Sequence, residues 1–303
     1  MKKTMRDKSA LFATNLERIP LLKRGKVRDI YALGDNLLII STDRISCFDV
    51  VLPDPIPHKG RVLTQLSAFW FNFTKDIISN HLITTNIEDF PQEVLAHRRV
   101  LEHRSMLVKK AEAIPVECVV RGYLCGSAWK EYQRTYSICG QTLPRGLKKA
   151  QKLDEPIFTP ATKEDKGHDI NVSQTYVENM IGKDLTKRIK EISLSLYKKA
   201  SEYAEKKGLI IADTKFEFGI NNNQLLLIDE LLTPDSSRFW LKDSYSPGRE
   251  QINLDKQFVR DYLSTINWDK NPPAPSLPEE IIAKTSEKYL ALLRIIIDGT
   301  QNV

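Results

Sequence analysis

Between Ile210 and Gly219 the chain reads IIADTKFEFG. Successive side chains of a strand point to opposite faces, so residues two apart stand side by side at about 6.5–7 Å. The alternation predicts a strand with Ile211, Asp213, Lys215 and Glu217 on one face and Ile210, Ala212, Thr214, Phe216 and Phe218 on the other. The second set suits a core. The first is either a solvated face or a charged site. Asn221-Asn222-Asn223 then marks a turn. The run Leu225 to Ile228 is continuously apolar, as in a strand covered on both faces, and stops at Asp229 and Glu230. A hairpin centred near Asn221 would set Asp229 opposite Asp213, on the face of Lys215 and Glu217. A one-residue change of register would reverse that. Three carboxylates around one lysine repel each other unless a cation sits among them. Such hard oxygen ligands suit Mg2+, which takes a few carboxylates together with phosphate.

Elsewhere the pattern predicts both strands and helices. Val27–Tyr31 and Leu37–Ser41 flank ALGDN and make a hairpin. Leu63, Leu66, Trp70, Phe73 and Ile77 follow helical spacing after the Pro-rich PDPIPHKG loop. RSMLVKKAEAIPVECVVRGYL reads as two strands broken at Pro115, the point that divides the chain into an expected nucleotide-binding domain, 1–112, and a second domain, 113–303. In that second part LPRGLKKAQKLDEPIFTPATKEDKGHDINVS reads as one long functional loop. A single amphipathic helix is expected to run from Val177 through Tyr203, stopped by Gly208. DKQFVRDYL and EEIIAKTSEKYLALLRIII read as helices around a surface linker. The predicted class is α+β, with a cleft between two domains.

The 303 residues, 41% hydrophobic and 28% charged, are those of an ordinary globular protein. No apolar run approaches the roughly 20 residues that span a bilayer, and the first residues lack a signal-like apolar core, so the chain reads as cytoplasmic and without a membrane partner. The four cysteines show no zinc spacing. A net charge of +6 raises nucleic acid as a partner. The basic residues are spread along the chain without a nucleic-acid motif, and the charge fits an enzyme whose substrates are anions.

Several segments carry candidate chemistry. KRGKVRDIY gathers Lys23, Arg24, Lys26 and Arg28 around Gly25, where backbone and cations could approach a phosphate. It matches neither a Walker A loop nor the kinase glycine loop. STDRISCFD sets Asp43, Arg44 and Asp49 close together, as a turn and helix cap would. VVRGYLCGSAWKEY puts Arg121, Gly126 and Ser127 where a strand passes into a helix, either a plain N-cap or a phosphate site. SSRFW places Arg238 a short loop beyond Asp229. His168-Asp169 is an acid/base or substrate-binding pair or simply a loop feature.

Taken in order, GKVRDIY, STDRISCFD, PIPHKG, PVECVVRGYLCGS, LIIADTKFEFG, IDELLTPDSSRFW and DKQFVRDYL resemble the SAICAR synthetase family over most of the chain. The middle segment EPIFTPATKEDKGHDINVS resembles the longer, yeast-like branch. The resemblance implies a two-domain α+β fold, kinase-like or ATP-grasp-like, with mostly antiparallel sheets. It implies a ligase that joins L-aspartate to carboxyaminoimidazole ribotide, with ATP as co-substrate, Mg2+ as cofactor and an acyl phosphate on the path. Gly25, Lys26, Val27 and Arg28 would hold the ATP phosphates, and Glu112 and Ala113 would line the adenine site. Glu217 and Asp229 would be the metal carboxylates. Lys215 would neutralise the transferred phosphoryl group, and Asp213 would be a second catalytic residue, on the metal or the ribotide. Arg121, Ser127 and Arg238 would bind the ribotide phosphate. Asp43 would contact substrate, and Lys59, Lys163, His168 and Asp169 would bind aspartate. The partners are these small molecules, with no nucleic acid, and the assembly is a monomer or homodimer.

Overall fold

Two antiparallel sheets organise the chain in the computed structural model, which describes residues 10–163 and 170–299. The first contains Leu21–Arg24 (β1), Arg28–Leu33 (β2), Asn36–Ser41 (β3), Leu82–Thr84 (β4) and Ser105–Lys109 (β5), in the order β1-β2-β3-β5-β4. Its β2–β3 hairpin closes through Leu33↔Asn36, as the Gly-containing turn predicts. The second contains Glu112–Ala113 (β6), Val116–Tyr123 (β7), Lys152–Phe158 (β8), Ala161–Thr162 (β9), Leu209–Asn221 (β10), Gln224–Ile228 (β11) and Ser237–Leu241 (β12). Its main path is β8-β7-β10-β11, with β9 on β7 and with β12 and β6 on β10. The chain passes from the first sheet to the second between Lys109 and Glu112.

Helices cover the sheets: Lys59–Phe73 (α1), Gly126–Thr135 (α2), Gln174–Ile181 (α3), Lys183–Lys206 (α4), Gln257–Thr265 (α5) and Glu279–Ile297 (α6). One hydrophobic core links α1 (Val62, Leu66, Trp70), β5 (Met106, Val108), β7 (Cys118, Val120), β10 (Phe216, Phe218), α4 (Ile189, Leu196) and α6 (Leu292, Ile295). Each fully buried side chain of this size contributes roughly 1.5–3 kcal/mol. A second cluster packs Ile45, Leu52 and Ile56 against Val259 and Leu263 of α5, so the C-terminal helices close back on the N-terminal segment.

Four expectations are corrected. The long functional loop contains β8 and β9, both on β7; polar outward positions and Pro156 hid an edge strand in a segment that reads as loop. The single amphipathic helix is two, α3 and α4, parted at Gly182 with φ +87°, a left-handed value that ends one helix and starts the next. The β10–β11 hairpin turns on Asn222 and Asn223, both at positive φ, so Asn221 pairs with Gln224 and Glu217 with Ile228. Asp229 therefore does not stand opposite Asp213 but follows the last ladder residue, Ile228. A second irregularity interrupts β10 between Ile211 and Asp213. Ile211 thus packs with Phe216 and Phe218, whereas Ile210 and Ala212 join Tyr123 and Trp240.

Candidate active site

Asp213 lies between two arginines because its strand lies between two strands. In the ladders it faces Arg121 of β7 on one side and Arg238 of β12 on the other. Directly opposed residues share a face of the sheet, so the three side chains form a row. Arg121 Nη1 donates to Asp213 Oδ2 at 2.6 Å and Arg238 Nη1 to the same oxygen at 2.5 Å. Burial disfavours the carboxylate, but Arg238 and Arg121 outweigh it and hold the Asp213 pKa below its ordinary value. Arg121 Nη2 also donates to Ser127 Oγ at 3.1 Å, in the first turn of α2, and its Nε to Thr159 Oγ1 at 3.0 Å. The arginines, Ser127 and the helix start converge as the strand-to-helix pattern predicts. Asp213, expected as a second catalytic residue, accepts from both guanidiniums and lines the cavity with them.

This row floors a cavity of about 710 Å³. Lys215 and Glu117 line it next to Asp213 and are ion-paired to each other. Asp235, Lys256 and Arg260 line the wall supplied by the loop before β12 and by the start of α5. None of these three is among the site residues expected from sequence, although IDELLTPDSSRFW and DKQFVRDYL are both family-like segments and Lys256 and Arg260, four residues apart, share one helix face.

Beyond Lys215 the same face of β10 reaches Glu217, about 7 Å further along the strand. Here the two sheets meet. Arg28 Nη2, from the start of β2, donates to Asp229 Oδ2 at 2.7 Å and lies 3.6 Å from Glu230 Oε1. Lys163 pairs with Glu217. The Glu217 carboxyl is pushed up to about 7 by burial and by the neighbouring Asp229 charge. Burial also opposes ionisation of Asp229, yet Arg28 and Lys163 hold its pKa below the usual carboxylate range. Arg28 and Lys163 thus stand as the counter-charges of Asp229 and Glu217. Arg28 Nη1 is buried without a hydrogen-bond partner, as a donor awaiting a phosphate oxygen would be. Among the described residues no three His, Cys, Asp or Glu side chains cluster as a metal cage. A metal here would be completed by phosphate oxygens, the habit of Mg2+. Glu217 and Asp229 fit that role, with Glu230 beside them.

The loop 25–27 is fastened from beneath by the STDR segment. Arg44 donates to the carbonyls of Gly25 (3.0 Å) and Lys26 (3.2 Å) and pairs with Asp29 at 2.7 Å; Thr42 Oγ1 donates to Val27 O at 2.7 Å. Lys26 itself reaches Asp49 at 2.5 Å. Glu112 and Ala113 lie exposed on β6, against Ile220 and Gly219 of β10.

Two expected substrate residues lie elsewhere. Asp43 is wholly buried. It accepts hydrogen bonds from the backbone N–H of Leu11 (2.6 Å) and Gly60 (2.9 Å) and from Arg104 (3.1 Å), so it clamps the start of α1 and does not line the cavity. Lys59 is equally buried and donates to Asp235 Oδ2 at 2.7 Å; Tyr289 Oη donates to Asp235 Oδ1 at 2.9 Å. Lys59 therefore sits behind Asp235, which lines the cavity. His168 and Asp169 lie outside the described residues.

A family model described as SAICAR synthetase matches residues 21–275. A phosphoribosylaminoimidazole-succinocarboxamide synthase of Thermodesulfovibrio yellowstonii is 57% identical over 289 residues, 95% of this chain and 99% of that one. Its counterpart in Geobacter sulfurreducens is 57% identical over 94% of this chain and 97% of that one. A solved structure, SAICAR-synthase from Saccharomyces cerevisiae complexed with SAICAR, superposes with a TM-score of 0.87 at 43% identity, over 97% of this chain and all of that one. The SAICAR synthetase of Pyrococcus horikoshii gives 0.66 at 25%, over 91% of this chain and 100% of that one. The likeness to the yeast enzyme agrees with the longer-branch reading. The chain belongs to the SAICAR synthetase family.

Proposed function

We propose that this protein is an ATP-dependent ligase of de novo purine synthesis, joining L-aspartate to the carboxylate of carboxyaminoimidazole ribotide to give SAICAR, ADP and phosphate. Family membership supports this. The observation that carries it is the continuous charged face of β10, where Asp213 and its two arginines lead through Lys215 to Glu217. Such a face has an anion cradle at one end and a two-carboxylate site at the other, as a reaction between a phosphorylated sugar and a nucleotide requires.

In this reading Arg121, Ser127 and Arg238 hold the ribotide phosphate. Loop 25–27 and Arg28 hold the ATP phosphates where the two sheets meet, with adenine toward Glu112 and Ala113 and the two domains parting near residue 112. Mg2+ bound by Glu217 and Asp229 would neutralise charge between the β- and γ-phosphates. The ribotide carboxylate attacks the γ-phosphorus and ADP leaves; Lys215 and Lys163 offset the charge that spreads over the transferred oxygens. The aspartate amine then attacks the acyl carbon, phosphate departs, and the amine proton passes to phosphate or water. Lys256 and Arg260, which line the cavity, would take the aspartate carboxylates, with His168 and Asp169 as further candidates. The protein would work in the cytoplasm, as a monomer or homodimer. Among the described residues no helix is long and apolar enough to cross a membrane.

The test is to incubate the purified protein with Mg-ATP, the ribotide and L-aspartate and identify the products by mass. Equal amounts of SAICAR and ADP are expected. A phosphorylated ribotide that accumulates in place of SAICAR would instead indicate a kinase.

A further inference from the structure

The short segment that joins β8 to β9 runs behind the anion cradle. Its first residue, Thr159, is wholly buried and does not line the cavity. The Thr159 N–H donates to the Val119 carbonyl of β7 at 2.8 Å. Its neighbours are fastened as well: Phe158 O accepts from Gln141 Nε2 at 2.7 Å, and Pro160 O accepts from the Val172 N–H at 2.9 Å. The hydroxyl is directed in turn. It donates to the same Val119 carbonyl at 3.5 Å and accepts from Arg121 Nε at 3.0 Å. Arg121 is thus held on all three of its nitrogens, Nε by Thr159, Nη1 by Asp213 and Nη2 by Ser127. A guanidinium is a rigid planar fork of five N–H groups, so acceptors on three sides fix its plane. One N–H on each Nη remains, in a residue that lines the cavity. Asp213 and Ser127 line the cavity too, where a substrate can compete for them, whereas Thr159 belongs wholly to the frame.

We propose that Thr159 is a positioning residue for the ribotide phosphate: by holding Nε it sets the plane of Arg121 and aims the N–H groups left on Nη1 and Nη2 at the phosphate oxygens. This rests on the reading of Arg121, Ser127 and Arg238 as the phosphate cradle. Bonds from a guanidinium to phosphate are strong but directional, and they weaken steeply once the N–H no longer points at the oxygen. Without the hydroxyl, Nε is a buried donor with no acceptor, and the fork can tilt on its two remaining bonds. Thr159 carries no charge and touches no substrate, so its loss acts on phosphate affinity and not on the chemistry at the acyl carbon. In sequence it lies 38 residues from Arg121, within the stretch that reads as loop. Only the pairing of β8 and β9 with β7 brings the two together.

The experiment is initial-rate kinetics with the ribotide and ATP varied in turn, for wild type, Thr159→Val, Thr159→Ser, Arg121→Met and the double variant Thr159→Val with Arg121→Met. A melting curve accompanies each. Valine keeps the branched shape and loses the acceptor, whereas serine keeps the hydroxyl. Thr159→Val is expected to raise KM for the ribotide about 10-fold, the loss of about one charged hydrogen bond. KM for ATP and kcat should stay near wild type, and Thr159→Ser should restore most of the ribotide affinity. In the double variant the Thr159 change should add nothing to the effect of Arg121→Met, because it acts only through that guanidinium. If Thr159→Val lowers only the melting temperature, if valine and serine raise the ribotide KM equally, or if valine adds its full effect to Arg121→Met, Thr159 serves packing alone and the inference fails. Should the valine variant not fold, Thr159→Ala removes the same hydroxyl and is read in the same way. Arg121→Met separates the two levels: an unchanged ribotide KM there would overturn the phosphate-cradle reading itself.

Discussion

Arg28 and Asp229 are 201 residues apart in sequence and 2.7 Å apart in space. That single pair ties the first sheet to the second across the candidate nucleotide site. Replacing Arg28 by Met removes the counter-charge of Asp229 and Glu230 together with a donor to the phosphates. Hydrogen bonds to charged groups contribute about 1.5–3 kcal/mol, so kcat/KM for ATP should fall about 10- to 100-fold. Steady-state kinetics with ATP varied checks this, and KM for the ribotide should move less.

Glu217 carries the clearest pH signature. Its pKa is raised to about 7 in the fold against 4.5 ordinarily, so between those values the unfolded chain loses its proton before the folded one does. The metal-free protein should therefore lose stability as pH rises from about 4.5 to about 7, by at most about 1.4 kcal/mol per pH unit. Glu217→Gln removes that slope and raises the metal-free melting temperature above pH 7. Melting curves across pH with and without Mg2+ and ADP check both points. In the wild type, stabilisation by Mg2+ should weaken below pH 7, where the proton competes for the carboxylate.

Asp235 stands between the cavity and the buried Lys59. Burial opposes its charge, but Lys59 and Lys256 bring its pKa down to about 2. Asp235→Asn would strand the Lys59 ammonium and cost about 3–5 kcal/mol. Its contribution is present above the ordinary aspartate pKa and lost as pH falls toward 2. Chemical denaturation of Asp235→Asn, and of the double variant Lys59→Met with Asp235→Leu, checks this: the single variant should be the less stable of the two.

Gly126 has φ +59°, and a Cβ there would lie 2.6 Å from Arg238 Nη2. Gly126→Ala should push the guanidinium off the Asp213 row and raise KM for the ribotide about 10-fold, the loss of about one charged hydrogen bond. KM for ATP should stay near wild type, and initial-rate kinetics with each substrate varied in turn separates the two.

Much of this site was legible because short-range alternation and the ordered motifs both act locally. The charged positions 213, 215 and 217 could be read from period two alone, as could the strand-to-helix step at Arg121 and Ser127. Register could not. It depends on which asparagines form the turn, and a choice of Asn222-Asn223 moves Asp229 three positions along its partner strand. The slip between Ile211 and Asp213 was invisible for the same reason, since a bulge leaves no mark on the apolar pattern. Burial of charge was the other blind spot. Asp43 and Lys59 look like site residues in sequence, and only the packing of α1 shows that their partners are Arg104, the Gly60 N–H and Asp235.

The proposed ligase needs the anion cradle of Arg121, Ser127 and Arg238 and the two-carboxylate site of Glu217 and Asp229 to work as one centre. The measurement that tests it most directly is ADP release by the wild-type protein with Mg-ATP and the ribotide, with and without L-aspartate, beside the Glu217→Gln variant. The account predicts sustained release only with aspartate, matched by SAICAR, and its loss in the variant. Equal release without aspartate, or undiminished release from Glu217→Gln, would contradict it.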